Sequence, residues 1–295
     1  MVGFKNSHPL VGFIYFVFVL GFSMLVMNPI SLGISLVCGF LYSVLLGGKG
    51  ATRTNLLFVL PLMFFTAVLN PLFNHRGVTI LWYFPGGNPL TAESIIFGAV
   101  AATMLASVIF WFSCFNRIFT SDKLMYLFGK VSPALSLIIS MALRFVPRFR
   151  NQIKKIISAQ KCIGKDISCG KVTERIKYGG VVLSAMTSWA LEGSVITADS
   201  MKARGYGLSG RTAFSIFRFS ARDLILTLII LALGIYMVLG AALGELRFWY
   251  FPSLGGKIPT GFGISVYAAY FILCGLPLII DLWEVRRWNS LRSKI

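Results

Sequence analysis

DLILTLIILALGIYMVLGAAL, residues 223–243, carries no charge after Asp223, and it decides what kind of molecule this is. About 20 apolar residues in a helix match the hydrocarbon thickness of a bilayer, where each backbone amide has to find its partner within the segment. PLVGFIYFVFVLGFSMLVM, residues 9–27, reads the same way. Across all 295 residues the chain is 56% hydrophobic with a mean hydropathy of +0.78. That is too apolar for an ordinary soluble domain and far from any disordered composition. The expected fold is therefore an all-α membrane protein, multi-pass in the cell membrane. Hydropathy places spans near 10–27, 29–46, 55–73, 93–115, 223–244 and 263–283, with Asn28 and Pro29 turning the chain between the first two. The segments 123–146 and 176–199 are also apolar enough to enter the bilayer. The first apolar run outlasts a signal-peptide core and has no small-x-small cleavage site behind it, so it is expected to be retained.

Twenty-eight Lys and Arg against ten Asp and Glu give a formal charge of +18. In a soluble protein such a balance points to nucleic acid; in a membrane protein it is first a statement of topology. With a cytoplasmic N-terminus, the inner side holds Lys5, Lys49, Arg53, eighteen basic residues between 116 and 222, and four more in the tail VRRWNSLRSKI. Arg76, Arg247 and Lys257 are left outside. The opposite orientation reverses the bias, so both termini are expected in the cytoplasm and no nucleic-acid partner is needed. The outer loops NHRGVTILWYFPGGNPL (74–90) and GELRFWYFPSLGGKIPTGF (244–262) combine Trp, Tyr and Phe with Gly and Pro, which reads as an aromatic belt with turns. Cys38, Cys114, Cys162, Cys169 and Cys274 are scattered without metal-ligand spacing, and structural disulfides are not expected.

The basic region 116–222 has its own pattern. Ser132 followed by Pro133 is a helix start, a capping hydroxyl before a proline at the first position. From there Leu135, Ile139, Ala142, Val146, Phe149, Ile153, Ile156, Gln160 and Ile163 recur at steps of four and three, one seam broken by Gln160. Arg144, Arg148, Arg150, Lys154, Lys155 and Lys161 lie off that seam, and Pro147 predicts a kink. A second seam runs through Val182, Met186, Trp189, Gly193, Ile196, Ser200 and Ala203, with small residues that admit a close helix crossing. GKDISCGKVTER, residues 164–175, supplies the turn between two long helices that should pack on each other or on similar helices. The second ends in SMKARGYGLSG, residues 200–210: Ala203 keeps the tip thin, Arg204 projects from the last turn, and Gly205 can stop the helix in a left-handed conformation. Two readings fit that tip. Arg204 offsets the helix macrodipole, or it is a forked cation suited to an acidic groove on another protein.

Other chemistry fails on context. GGKGAT (47–52) and CGKVTE (169–174) lack the residues of a phosphate-binding loop, so nucleotide hydrolysis would have to come from a partner. GLSG (207–210) looks like a serine-protease motif, yet His8 and His75 lie at or beyond span ends, where neither can serve Ser209 as base. No metal-ligand or cofactor site is expected around His75. The span centres are nearly free of charge, with Glu93 and Asp281 near the ends, which leaves a secondary transporter or channel little to work with, although that class stays as the alternative. No catalytic nucleophile or acid–base pair is found, and the chain is not expected to be an enzyme.

MKARGYG at 201–207, together with NPLFNHRGVTIL at 70–81 and ALRFVPRFRNQIKKIISAQKCIG at 142–164, resembles the transmembrane T component of energy-coupling factor transporters, importers of vitamins and of cobalt or nickel. The resemblance implies a non-catalytic scaffold that links two ATP-binding-cassette ATPases to a membrane-embedded substrate-binding S component, with the lipid bilayer around it and no cofactor. Substrate recognition would then belong to the S component. Three regions follow: N-terminal transmembrane helices 1–121, a cytoplasmic-facing coupling region with two long helices at 122–221, and C-terminal transmembrane helices 222–295. The resemblance assigns ATPase docking to Ala203, Arg204 and Gly205 at the second tip. At the first tip the corresponding residues are Lys161, Cys162, Ile163 and Gly164, where the glycine is kept and the arginine of the motif is lost. Asymmetric docking, led by Arg204, is the expectation.

Overall fold

The computed structural model describes residues 3–83, 88–131, 133–166, 171–206, 217–256 and 260–292. Helix α1, Pro9–Leu25, starts with Pro9 at its first turn and with the His8 Nδ1 accepting the Leu10 N–H at 3.3 Å. Asn28 plays the same part for α2, Pro29–Phe73, its Oδ1 accepting the Ile30 N–H at 3.0 Å. Helix α2 is broken at Gly48, which has φ 62° and ψ −178°. The break folds it into two arms that run back along each other. Asn55 donates to the Ser43 hydroxyl at 3.0 Å, and Leu36 and Phe40 of the first arm share a cluster with Val59 and Met63 of the second. The arms coincide with the two spans expected over 29–46 and 55–73.

The chain continues through the antiparallel strands β1 (Ile80–Tyr83) and β2 (Pro89–Thr91), then α3 (Ala92–Ile118), α4 (Ser121–Val131), α5 (Pro133–Cys162), α6 (Val172–Ala203) and α7 (Ala221–Ala242). A second small pair, β3 (Phe248–Trp249) and β4 (Gly255–Gly256), precedes α8 (Gly261–Arg292). The aromatic loops read from sequence as turns thus contain two short hairpins. Ser132, read as the cap of α5, lies outside the described residues, as do Cys169 and the GLSG stretch.

Among the described residues six helical segments are long and apolar enough to cross a membrane: Pro29–Gly48, Asn55–Phe73, Ala92–Ile118, Val172–Ala203, Ala221–Ala242 and Gly261–Trp288. Membership differs from the six-span reading at two helices, one of them over the segment 176–199 already read as apolar enough to enter the bilayer. Helix α1, at 17 residues, is apolar but short, whereas α6 qualifies, because Glu192 is the sole charge between Val181 and Ala198.

The chain divides into two compact units, Met1–Leu124 with Phe217–Ile295, and Met125–Ile216. In the first, α3 packs along both arms of α2, α8 lies against α2 and α7, and α1 against α3 and α7. Backbones come close where side chains are small: a Cβ on Gly98 of α3 would lie 2.8 Å from the Ala67 carbonyl oxygen of α2. The core is aromatic, with Tyr15, Phe16, Tyr42, Trp111 and Tyr270 all fully buried, and hydrogen bonds stitch it together. The Trp111 Nε1–H donates to the Ser35 Oγ at 3.0 Å; that oxygen lies 2.6 Å from the Ser23 Oγ, which is 3.1 Å from the Tyr270 hydroxyl. Where lipid competes equally for apolar surface, such interhelical hydrogen bonds help fix which helices meet.

The second unit is the pair α5 and α6 with the end of α4, where the Ser136 hydroxyl donates to the Met125 carbonyl at 3.2 Å. Helix α5 runs uninterrupted through Pro147. At 30 and 32 residues, each of these helices is about 45 Å long at 1.5 Å per residue.

Candidate functional site: two helix tips

The two long helices end in the same hydrogen-bonded stop. In α5 the Gly164 N–H donates to the Lys161 carbonyl at 3.1 Å and the Lys165 N–H to the Gln160 carbonyl at 3.0 Å, with Gly164 at φ 75°. In α6 the Gly205 N–H donates to the Lys202 carbonyl and the Tyr206 N–H to the Met201 carbonyl, both at 3.0 Å, with Gly205 at φ 73°. Both are Schellman motifs, in which a left-handed residue turns two amides back onto the last carbonyls. A side chain at either glycine would be strained by the backbone angle alone.

Superposing the motifs pairs Lys161 with Lys202, Cys162 with Ala203, Ile163 with Arg204 and Gly164 with Gly205. Arg204 is the residue on which α6 ends, at φ −85° and ψ 10°, and its side chain is exposed, as is Ala203. Ile163 occupies that place in α5 and is 63% exposed, an apolar end where its counterpart is cationic. Cys162 is a free, exposed thiol. The Lys161 Nζ, which corresponds to Lys202 at the other tip, lies 3.3 Å from the Asp166 Oδ2, across the turn that follows its own helix.

Behind the tips, α5 and α6 hold each other through Trp189. The Phe149 ring meets it edge-on at 5.5 Å between centroids, and the Arg148 guanidinium lies over it at 5.1 Å. This is the aromatic and cation–π geometry in which a ring bears on two neighbours at once. Val182 and Met186, also on the expected seam, are buried. Beyond Trp189 the seam departs from expectation: Gly193, Thr197 and Met201 are half-buried, while Ile196, Ser200 and Ala203 are exposed. A seam at alternating steps of four and three advances 3.5 residues per turn against 3.6 for a straight helix, so it drifts off the contact line unless the helices supercoil. The α5 seam is likewise only partly covered, with Val146 62% and Ile153 39% exposed.

Two of the other residues singled out in the sequence have local partners. Glu93 serves the local fold, with Oε1 accepting the Thr79 hydroxyl at 2.8 Å and the Thr79 N–H at 3.1 Å. Lys171, within CGKVTE, donates its N–H to the Glu174 carboxylate at 3.2 Å, an acidic helix start that would repel phosphate. No group of three His, Cys, Asp or Glu able to hold a metal ion occurs among the described residues. Sequence reasoning missed Asp223 and Asp281 as organising residues, although Ser220 three positions before Asp223 is a legible capping signal.

Residues 6–216, which take in both tips, match the cobalt transport protein family, CbiQ. The chain belongs to this family. Similar curated proteins are energy-coupling factor transporter transmembrane proteins, EcfT. That of Lactobacillus helveticus is 35% identical over 106 residues, 35% of this chain and 38% of that protein. The Staphylococcus aureus protein is 34% identical over 138 residues, 46% and 50% of the two chains. The Lacticaseibacillus paracasei protein is 30% identical over 173 residues, 55% and 65%. In each case this cobalt transport family member spans less than two thirds of its relative's length.

Proposed function

We propose that this chain is the transmembrane T component of an energy-coupling factor importer. In that role each tip, at the ends of α5 and α6, docks on one ATP-binding-cassette ATPase, and the membrane helices hold a substrate-binding S component for a vitamin or a transition-metal ion. The observation that carries the reading is the pairing of the tips: two long, adjacent helices end in one backbone motif, and one of them offers an exposed guanidinium on a stem thinned by Ala203. A guanidinium presents a planar fork of donors that matches a carboxylate with two parallel hydrogen bonds, so the complementary surface is an acidic groove. Family membership and the names of the relatives support the same reading. Hydrolysis of ATP falls to the partners, and the scaffold's part is mechanical. Closure of the ATPase pair draws the tips together, and the Phe149–Trp189 contact passes that motion from one helix to the other. The excess of basic residues between 116 and 222 supports cytoplasmic termini and a cytoplasmic coupling region.

The test is co-purification of the chain, wild type and Arg204→Glu, with the ATPases encoded nearest to it. The wild type should bring down an ATPase pair and the charge reversal should release it. A wild-type chain that captures no ATPase overturns the scaffold reading in favour of a stand-alone transporter whose Arg204 merely offsets a helix dipole.

A further inference from the structure

The chain passes between its two units twice, inside α4 after Leu124 and again before Phe217. On the side of the transmembrane unit, both passages are flanked by residues bound to one short stretch, Gly3–His8. This stretch is a single turn of 3-10 helix at Phe4–Asn6 that buries Phe4 in the core. Side chains of three helices grip its backbone. The Phe4 N–H donates to the Asp281 Oδ1 of α8 at 2.7 Å, and the His8 N–H to the Asp223 Oδ1 of α7 at 3.1 Å. The Lys5 carbonyl accepts the amine of Lys123 from α4, one residue before Leu124, after which the first passage begins.

Each carboxylate also reaches further. The Asp281 Oδ2 accepts the Tyr42 hydroxyl of α2 at 3.2 Å, and the Asp223 Oδ2 accepts both the N–H and the hydroxyl of Ser220, at 3.1 and 2.7 Å, near the second passage. Phe219 stands beside Ser220 with its ring edge-on to the His8 imidazole, 5.1 Å between centroids. The grip is a costly one. Lys123 is 7% exposed, and burial pulls its ammonium below the usual lysine range; a buried cation is kept only where its hydrogen bonds compensate.

We infer that Gly3–His8 is a strap that ties α4, where the chain leaves the transmembrane unit, to α7 and α8, so that a displacement carried along α4 reaches both of those helices. Lys123 and Asp223 are positioning residues in this account, which rests on the scaffold reading above.

The test uses the complete complex of this chain, its ATPases and its S component in lipid vesicles, carrying Lys123→Met or Lys123→Arg. Three quantities are measured: ATPase retained on purification, ATP hydrolysed, and substrate taken up per ATP. Lys123→Met should retain the ATPases and hydrolyse ATP while uptake per ATP falls at least fivefold. Lys123→Arg, which keeps a cationic donor, should restore most of that ratio. Should Lys123→Met not assemble, Lys123→Gln, which keeps a shorter neutral donor, is read in its place. An unchanged ratio in a variant that still binds its ATPases overturns the strap and leaves the scaffold reading standing. A wild-type chain that binds no ATPase overturns both.

Discussion

The ends of α5 and α6 share one backbone and differ in their side chains, most sharply at the residue on the stop. The same pair of turned-back amides and the same left-handed glycine close both helices, yet one presents Ile163 and the other Arg204. A third helix shows what the motif alone is worth. Helix α7 also stops at a left-handed glycine, Gly244 at φ 78°, with the Gly244 N–H on Ala241 and the Glu245 N–H on Gly240. The motif is therefore a general way to finish a helix. Any recognition particular to the α5 and α6 tips has to come from their side chains, and these differ most in charge at the residue on the stop.

The largest effect should come from that residue. Arg204→Ala is expected to weaken ATPase binding by roughly ten- to a hundredfold, since hydrogen bonds to charged groups are worth about 1.5–3 kcal/mol. Ile163→Ala should cost only a few-fold, in line with about 1 kcal/mol for the apolar area that a small truncation gives up. Titrating the purified ATPase against each variant distinguishes the cases; equal losses would mean that the tips are used alike despite their chemistry.

Next in size are the glycines. Gly164→Ala and Gly205→Ala should each destabilise their own tip by about 1–2 kcal/mol, the cost of a left-handed backbone for an ordinary residue. Amide exchange over 159–165 and 200–206 reads this directly, and a marked difference between the two would break the equivalence of the stops.

Smallest is Lys161→Met. Its ion pair with Asp166 is on the surface, Lys161 being 67% exposed, and such pairs contribute about 0–1 kcal/mol. ATPase affinity should stay within twofold of wild type. A loss comparable to that of Arg204→Ala would show that Lys161 supplies the missing charge after all.

Much of this was legible in the sequence because it is local. A run of apolar residues is a span whatever surrounds it, a glycine after a basic residue stops a helix, and Asn28–Pro29 starts one. The drift of the α6 seam after Trp189 was not legible, because a heptad spacing does not say whether two helices supercoil or cross. The strap was hidden for another reason. Its bonds join residues 277 and 215 positions apart, and nothing in MVGFKNSH announces that distant carboxylates will hold its amides. The place of α6 among the membrane-length helices was legible as the other spans were, in the near absence of charge between Val181 and Ala198 within the segment 176–199.

The reversal at Gly48 has a consequence for how the protein is made. Its two arms are separated by scarcely more than a turn of chain, and Asn55 of the second is bonded to Ser43 of the first and, at 2.8 Å, to Ser113 of α3. Neither arm has a soluble stretch in which to wait for the other. Residues 29–73 are therefore expected to enter lipid as one hairpin, with α3 as the next helix to close over it.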